Sequence, residues 1–188
     1  MVPMRLKVGV TKMYRDIPEK IGIKDYSVVD PYNTKLKGRY SLLIISKGYG
    51  DRVKRLNSFP IFEISSATFD DLINSVKGLS KLNVGSPEEI DKYLLDIERR
   101  KRCIKSLKFN RDIEVNPVSD FVKKVVLDLG VPVSKDGIPV VPDYMVERYK
   151  DNNKILVLKT HRYDLNTLER IEDRYISLIN LLNSLYGR

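Results

Sequence analysis

Tyr40-Ser41-Leu42-Leu43-Ile44-Ile45-Ser46 is the stretch on which the fold turns. Leu42 to Ile45 are apolar without alternation, the pattern of a strand covered on both faces, and two covered faces require crossover connections of the βαβ kind. A parallel sheet follows. The first 65 residues repeat one pattern, a short β-branched run that stops at small or polar residues: Leu6 to Thr11, Tyr26 to Asp30, Tyr40 to Ser46 and Ile61 to Ser65. The segments between them leave room only for short helices, around Ile17 to Ile21 and Arg52 to Leu56.

From Thr68 onward the period moves toward 3.6. Thr68 with Asp71 predicts a helix start, with Phe69, Leu72, Ile73, Val76 and Leu79 on one face, and Ser86-Pro87-Glu88-Glu89 opens a long helix striped by Ile90, Leu94, Ile97, Ile104 and Leu107. A further helix runs from about Pro117 to Leu129, and Gly130 supplies a left-handed stop. Val131 to Pro142 carries three prolines and reads as an extended loop or an edge hairpin, because proline cannot donate within a central ladder. A short helix near Tyr144 to Tyr149, a last strand from Lys154 to Thr160 and a helix from Leu165 to Tyr186 complete the chain. The expected architecture is α/β with a mainly parallel open sheet, Rossmann-like or flavodoxin-like in three layers, with a helical insertion and a long carboxyl-terminal helix. It is drawn as a single domain over residues 1–188, any subdomain being the helical stretch 86–130.

The 188 residues suit one domain. No stretch approaches the roughly 20 apolar residues of a membrane-spanning helix, so a membrane protein is not expected. The amino terminus breaks its apolar residues with Pro3, Arg5 and Lys7, which points to the cytoplasm. One cysteine, Cys103, and one histidine, His161, exclude a disulfide framework and the Cys/His zinc patterns, so no metal site is assigned. A net charge of +9 favours anionic partners. The chain also lacks Gln and Trp, has one alanine, and is rich in Lys, Ile, Tyr and Asn, a composition of thermophile type that supplies cations for reasons unrelated to binding.

In open α/β sheets ligands bind beyond the carboxyl ends of the strands, where loops converge and helices present free amides. The residues there are Thr11-Lys12, Asp30-Pro31-Tyr32-Asn33, Ser46-Lys47-Gly48-Tyr49-Gly50, Ser65-Ser66-Ala67-Thr68 and Thr160-His161-Arg162-Tyr163-Asp164. The candidate phosphate or ligand set is Lys12, Ser46, Lys47, Gly48, Gly50, Ser65, Ser66 and Thr68. Gly48 and Gly50 can take positive φ and turn amides toward an anion while Lys47 adds a point charge. The competing explanation is a plain strand-to-helix turn, and for Thr68 simple capping. The spacing of a Walker loop and the Gly-x-Gly-x-x-Gly fingerprint are both absent. Tyr32 or Tyr49 can stack on a ring.

His161 and Asp30 are the candidate catalytic pair, His161 as acid or base and Asp30 as its orienter or as holder of a magnesium ion through water. Cys103 reads as a half-buried structural thiol. The run Arg99, Arg100, Arg102 and Lys105 on the helix 88–108 is the case for nucleic acid, against a solvated helix face balanced by Asp96 and Glu98. Two functions therefore stand. One is a binding protein or enzyme for a phosphate-bearing ligand or nucleotide, with nucleotidyl or phosphoryl transfer as the chemistry; the other is a non-catalytic accessory protein that grips nucleic acid or a protein through the basic helix. The carboxyl-terminal helix offers a homodimer contact, although its stripe is no wider than one-sided packing demands.

Overall fold

The computed structural model describes residues 7–152, 154–160 and 162–185. Every strand pairing in it is parallel. The strands do not form one sheet, however. The chain divides into two compact units, the first running up to Ser66 and resuming over Asp70–Ile97, the second comprising Ala67–Phe69 and the residues from Glu98. Where one domain is expected from the sequence, each unit has its own sheet and its own buried side chains.

The first unit holds β1 (Val8–Thr11), α1 (Ile17–Lys20), β2 (Tyr26–Val29), β3 (Leu42–Ser46), α2 (Gly50–Lys54), β4 (Ile61–Ile64), α3 (Phe69–Lys81) and most of α4 (Pro87–Lys105). Its sheet order is β2-β1-β3-β4. Leu42 to Ile45 are all buried, as the non-alternating run requires. One face is closed by the loop after β2 and by α2: Leu43, Ile45 and Val53 form a cluster against which Tyr32, Leu36, Tyr40 and Phe59 pack. Gly9 lies on that face, and a Cβ there would sit 2.6 Å from Leu43 and 3.2 Å from Tyr40, so only glycine lets the loop close down on β1. On the other face a Cβ at Gly78 of α3 would stand 2.8 Å from Phe62.

Asn57 fastens the loop to the end of α2. It is buried, its Oδ1 accepts from Leu36 N at 2.8 Å, and its Nδ2 donates to the carbonyls of Pro31 and Thr34, each at 3.1 Å. A turn whose backbone groups are not paired in a ladder needs such partners.

The second unit holds β5 (Val115–Pro117), α5 (Asp120–Leu129), β6 (Ile138–Pro142), a 3-10 turn over Asp143–Tyr149, β7 (Leu156–Leu158) and α6 (Thr167–Ser184), with sheet order β5-β6-β7. The stretch 86–130 is thus not a helical subdomain, since it contains a strand and crosses from one unit to the other. Nor is the proline-rich stretch an edge hairpin: β6 is the central strand. Ile138 N donates to Glu114 O, so in the alternation of a parallel ladder the nitrogen of Pro139 faces the β7 side and that of Pro142 the β5 side. Pairing to β7 begins at Val140 and pairing to β5 ends there, so each proline aims its missing donor past the end of a neighbour. Ser119 caps α5 by accepting from Val122 N, and Gly130 ends it at φ 79°, the left-handed stop expected. Asn166 and Glu169 form a reciprocal capping box at the start of α6.

Candidate functional site

The first sheet reverses direction at β1. The chain leaves β1 for β2 on one side and returns to β3 on the other, which makes the carboxyl ends of β1 and β3 the switch point where a crevice opens in an open parallel sheet. The second sheet runs β5-β6-β7 in chain order and has no such reversal.

Thr11 ends β1 at this point. It is 3% exposed, and its Oγ1 has no hydrogen-bond partner among the described residues. Two residues on from Gly9, it shares the face covered by the Tyr32–Tyr40 loop, and the register places it beside Ile45 on β3 and opposite Val29 on β2. A buried hydroxyl without a partner is costly, about 1–3 kcal/mol by mutational data, and such an atom in a native site calls for a reason. Lys12 follows on an exposed turn. Ser46, half-buried, ends β3, and its backbone N–H is taken by the Tyr32 hydroxyl at 3.0 Å. Lys47 is exposed and has no ion-pair partner among the described residues, while its N–H extends the ladder to Ile64 O at 2.9 Å. The Tyr49 ring, 46% exposed, leans on Tyr32 with centroids 5.1 Å apart.

The glycine loop behaves differently from expectation. Gly48 does adopt φ 89°, but Glu63 of the neighbouring strand already fills the amide cradle: its Oε1 accepts from Gly48 N at 3.1 Å and from Gly50 N at 2.7 Å. Gly48 and Gly50 therefore bind a carboxylate of their own chain. Nothing in the loop's sequence announces this, because Glu63 comes alongside only through the pairing of Ile45 with Glu63.

Ser65 and Ser66 are committed to structure in a similar way. Ser65 N donates to Ser75 Oγ at 3.0 Å, fixing the end of β4 to α3, and Ser66 Oγ lies 3.2 Å from the Tyr14 hydroxyl, which also donates to Ile64 O. Thr68 is buried and is counted with the second unit. Asp30 is exposed and caps its own turn, accepting from Tyr32 N at 3.1 Å and Asn33 Nδ2 at 3.2 Å. His161 lies outside the described residues. Nearby, the Arg162 guanidinium donates to Asp164 at 2.7 Å and draws that carboxyl down to about 2.

The basic helix is largely engaged within the protein. Arg100 pairs with Glu172 at 2.7 Å, and Lys105 pairs with Asp128 at 3.0 Å. At its first turn Lys92 bridges Glu88 and Glu89 at 2.9 and 3.0 Å. Arg99 and Arg102 are exposed. Cys103 is exposed, not half-buried, because it falls one residue short of the stripe position Ile104. No group of three or more His, Cys, Asp or Glu side chains suited to a metal occurs among the described residues, and no described helix is long and apolar enough to cross a membrane.

Two successive parallel α/β units, the first with a topological switch point at β1, define the class of protein. The chain belongs to the MJ0786 family: residues 9–101 match its N-terminal domain and residues 112–187 its C-terminal domain. It is 46% identical over 180 residues to the MJ0786 protein of Methanocaldococcus jannaschii, covering 95% of each chain. Among solved structures it is similar to the SBP FpvC of Pseudomonas aeruginosa in complex with Ni2+, at TM-score 0.63 and 10% identity, covering 97% of this chain and 98% of that one. It is also similar to the periplasmic vitamin B12 binding protein BtuF of Vibrio cholerae, at TM-score 0.60 and 12% identity, with 97% and 98% covered. At such identities the likeness concerns the α/β fold.

Proposed function

We propose that the chain is a binding protein for a small oxyanion-bearing molecule, held at the carboxyl ends of β1 and β3 by Thr11, Lys12, Ser46 and Lys47. The observation that carries this reading is the buried Thr11 hydroxyl at the switch point, a polar group left for something other than the protein to satisfy. Lys47 adds an uncommitted charge beside it. FpvC, whose structure holds Ni2+, and BtuF, a vitamin B12 binding protein, have this class of fold and are named for small ligands. The site differs from a glycine-loop phosphate cradle by one strand, because Glu63 holds the amides of Gly48 and Gly50 and would repel an anion placed there.

A phosphate-bearing molecule, with nucleotides the first set to try, is the finer form of the proposal. We favour binding over nucleotidyl or phosphoryl transfer, since Asp30 spends both carboxylate oxygens on its own turn. Thermal shift with inorganic phosphate and a nucleotide panel, each with and without Mg2+, tests it. A ligand at 100 times its Kd is expected to add about 2.7 kcal/mol of stability. Lys47→Ala is expected to weaken that ligand about tenfold, the scale of a charge-assisted contact, without lowering the stability of the free protein. A panel in which no member shifts the wild type, or a ligand whose affinity ignores Lys47, contradicts the reading.

A further inference from the structure

Within the first unit the excess positive charge is concentrated on residues 31–60 rather than on α4. Residues 31–60 carry seven Lys and Arg against one carboxylate, Asp51, whereas residues 88–108 carry seven against five. Lys35, Lys37, Arg39, Lys47, Lys54 and Arg55 are all exposed, and none has an ion-pair partner among the described residues. They share one side of the unit. The loop 31–40 and the segment 50–59 pack over the same face of the sheet, and the three hydrogen bonds of Asn57 clip residues 31–36 to the end of α2. Arg52 reinforces the clip, its Nε donating to Tyr32 O at 3.0 Å and its Nη2 to Asn33 Oδ1. The cations of the loop and those of α2 therefore form one surface on a braced backbone. A braced backbone loses little freedom when a ligand docks, which favours affinity.

The geometry points to this surface as a docking site for the phosphodiester backbone of single-stranded nucleic acid. Successive unpaired cations can neutralise successive phosphates, and the half-exposed Tyr49 ring, supported from behind by Tyr32, offers a face on which a base can stack. An anionic membrane would supply phosphates too, but α2 has five residues and no long amphipathic face to enter the interface. The surface shares Lys47 with the proposed small-ligand site but does not rest on it, because Lys35, Lys37, Arg39, Lys54 and Arg55 carry the inference without it.

Fluorescence anisotropy of the whole chain with labelled RNA and DNA strands of about 20 nucleotides, titrated from about 50 to 200 mM salt, tests it. Binding is expected to fall with salt at a log–log slope of about −0.7 per phosphate contacted. The triple variant Lys35→Ser, Lys37→Ser, Arg39→Ser is expected to lose at least about tenfold in affinity and about 2 in slope. Lys54→Ser with Arg55→Ser, on a different element, is expected to weaken binding in the same direction, so that a folding defect in one variant does not decide the matter. Arg99→Ser with Arg102→Ser is expected to leave binding unchanged. No binding at the lowest salt, full binding by both patch variants, loss through the α4 variant, or binding only to phosphatidylserine vesicles would each overturn the assignment.

Discussion

Replacing Gly85 with alanine is expected to destabilise the protein by about 4 kcal/mol, at the severe end for a single methyl group. Gly85 precedes the long helix at φ 97°, where an L side chain is strained, and a Cβ there would meet the carbonyl oxygen of Ile21 at 2.5 Å. That carbonyl cannot retreat, because Ser86 N donates to it at 2.8 Å. Gly48 provides the comparison. Its φ of 89° is nearly the same, but nothing lies within 4 Å of its Cβ, so Gly48→Ala is expected to cost only about 1 kcal/mol, the conformational part alone. Urea unfolding midpoints of the two variants separate backbone strain from collision. Equal losses would mean that the Ile21 contact does not matter.

Asn57→Ala is expected to cost about 3 kcal/mol and to open the loop over residues 31–36 to protease. The change removes two donated hydrogen bonds and one accepted one from a buried position, and each such loss ranges over about 1–1.5 kcal/mol when the partners can be rehydrated. Asn57→Asp is expected to do worse despite its shape, since a carboxylate would face the Pro31 and Thr34 carbonyls where an amide donates. Urea denaturation with limited proteolysis checks both. A stable Asn57→Asp variant with an uncut loop would show that the clip is dispensable, and with it the braced surface.

Much of the local structure in both units can be read directly from the residues. The β3 run, the glycine stop after α5 and the helical stripes express local rules that the packed structure obeys, except at Leu107, which lies beyond the end of α4 and is exposed. Division into two units could not be read, because β6 carries Pro139 and Pro142, and proline argues against a central strand until the register shows both missing donors falling beyond a neighbour's end. The proposed site keeps the sheet edge that the sequence suggests and moves away from the glycine loop as its centre, because Glu63 occupies the amides of Gly48 and Gly50. Small residues mark where a backbone can approach an anion, and the loop conformation followed that rule at Gly48. Which anion arrives is decided by strand register, and Glu63 arrived first. The sequence does not single out Thr11 for the converse reason: a threonine ending a strand is ordinary, and only the packed structure shows its hydroxyl buried without a partner among the described residues.

The Thr11 hydroxyl is therefore the place to test the account. Thr11→Val keeps the shape and exchanges the hydroxyl for a methyl group. Measured by urea unfolding of the free protein, it is expected to raise stability by about 1 kcal/mol, because an unsatisfied polar group leaves the interior. Measured by calorimetric titration with the ligand found by thermal shift, it is expected to lower affinity about tenfold. A variant that is less stable when free and binds the ligand as well as the wild type would contradict the claim that this hydroxyl is held for a ligand.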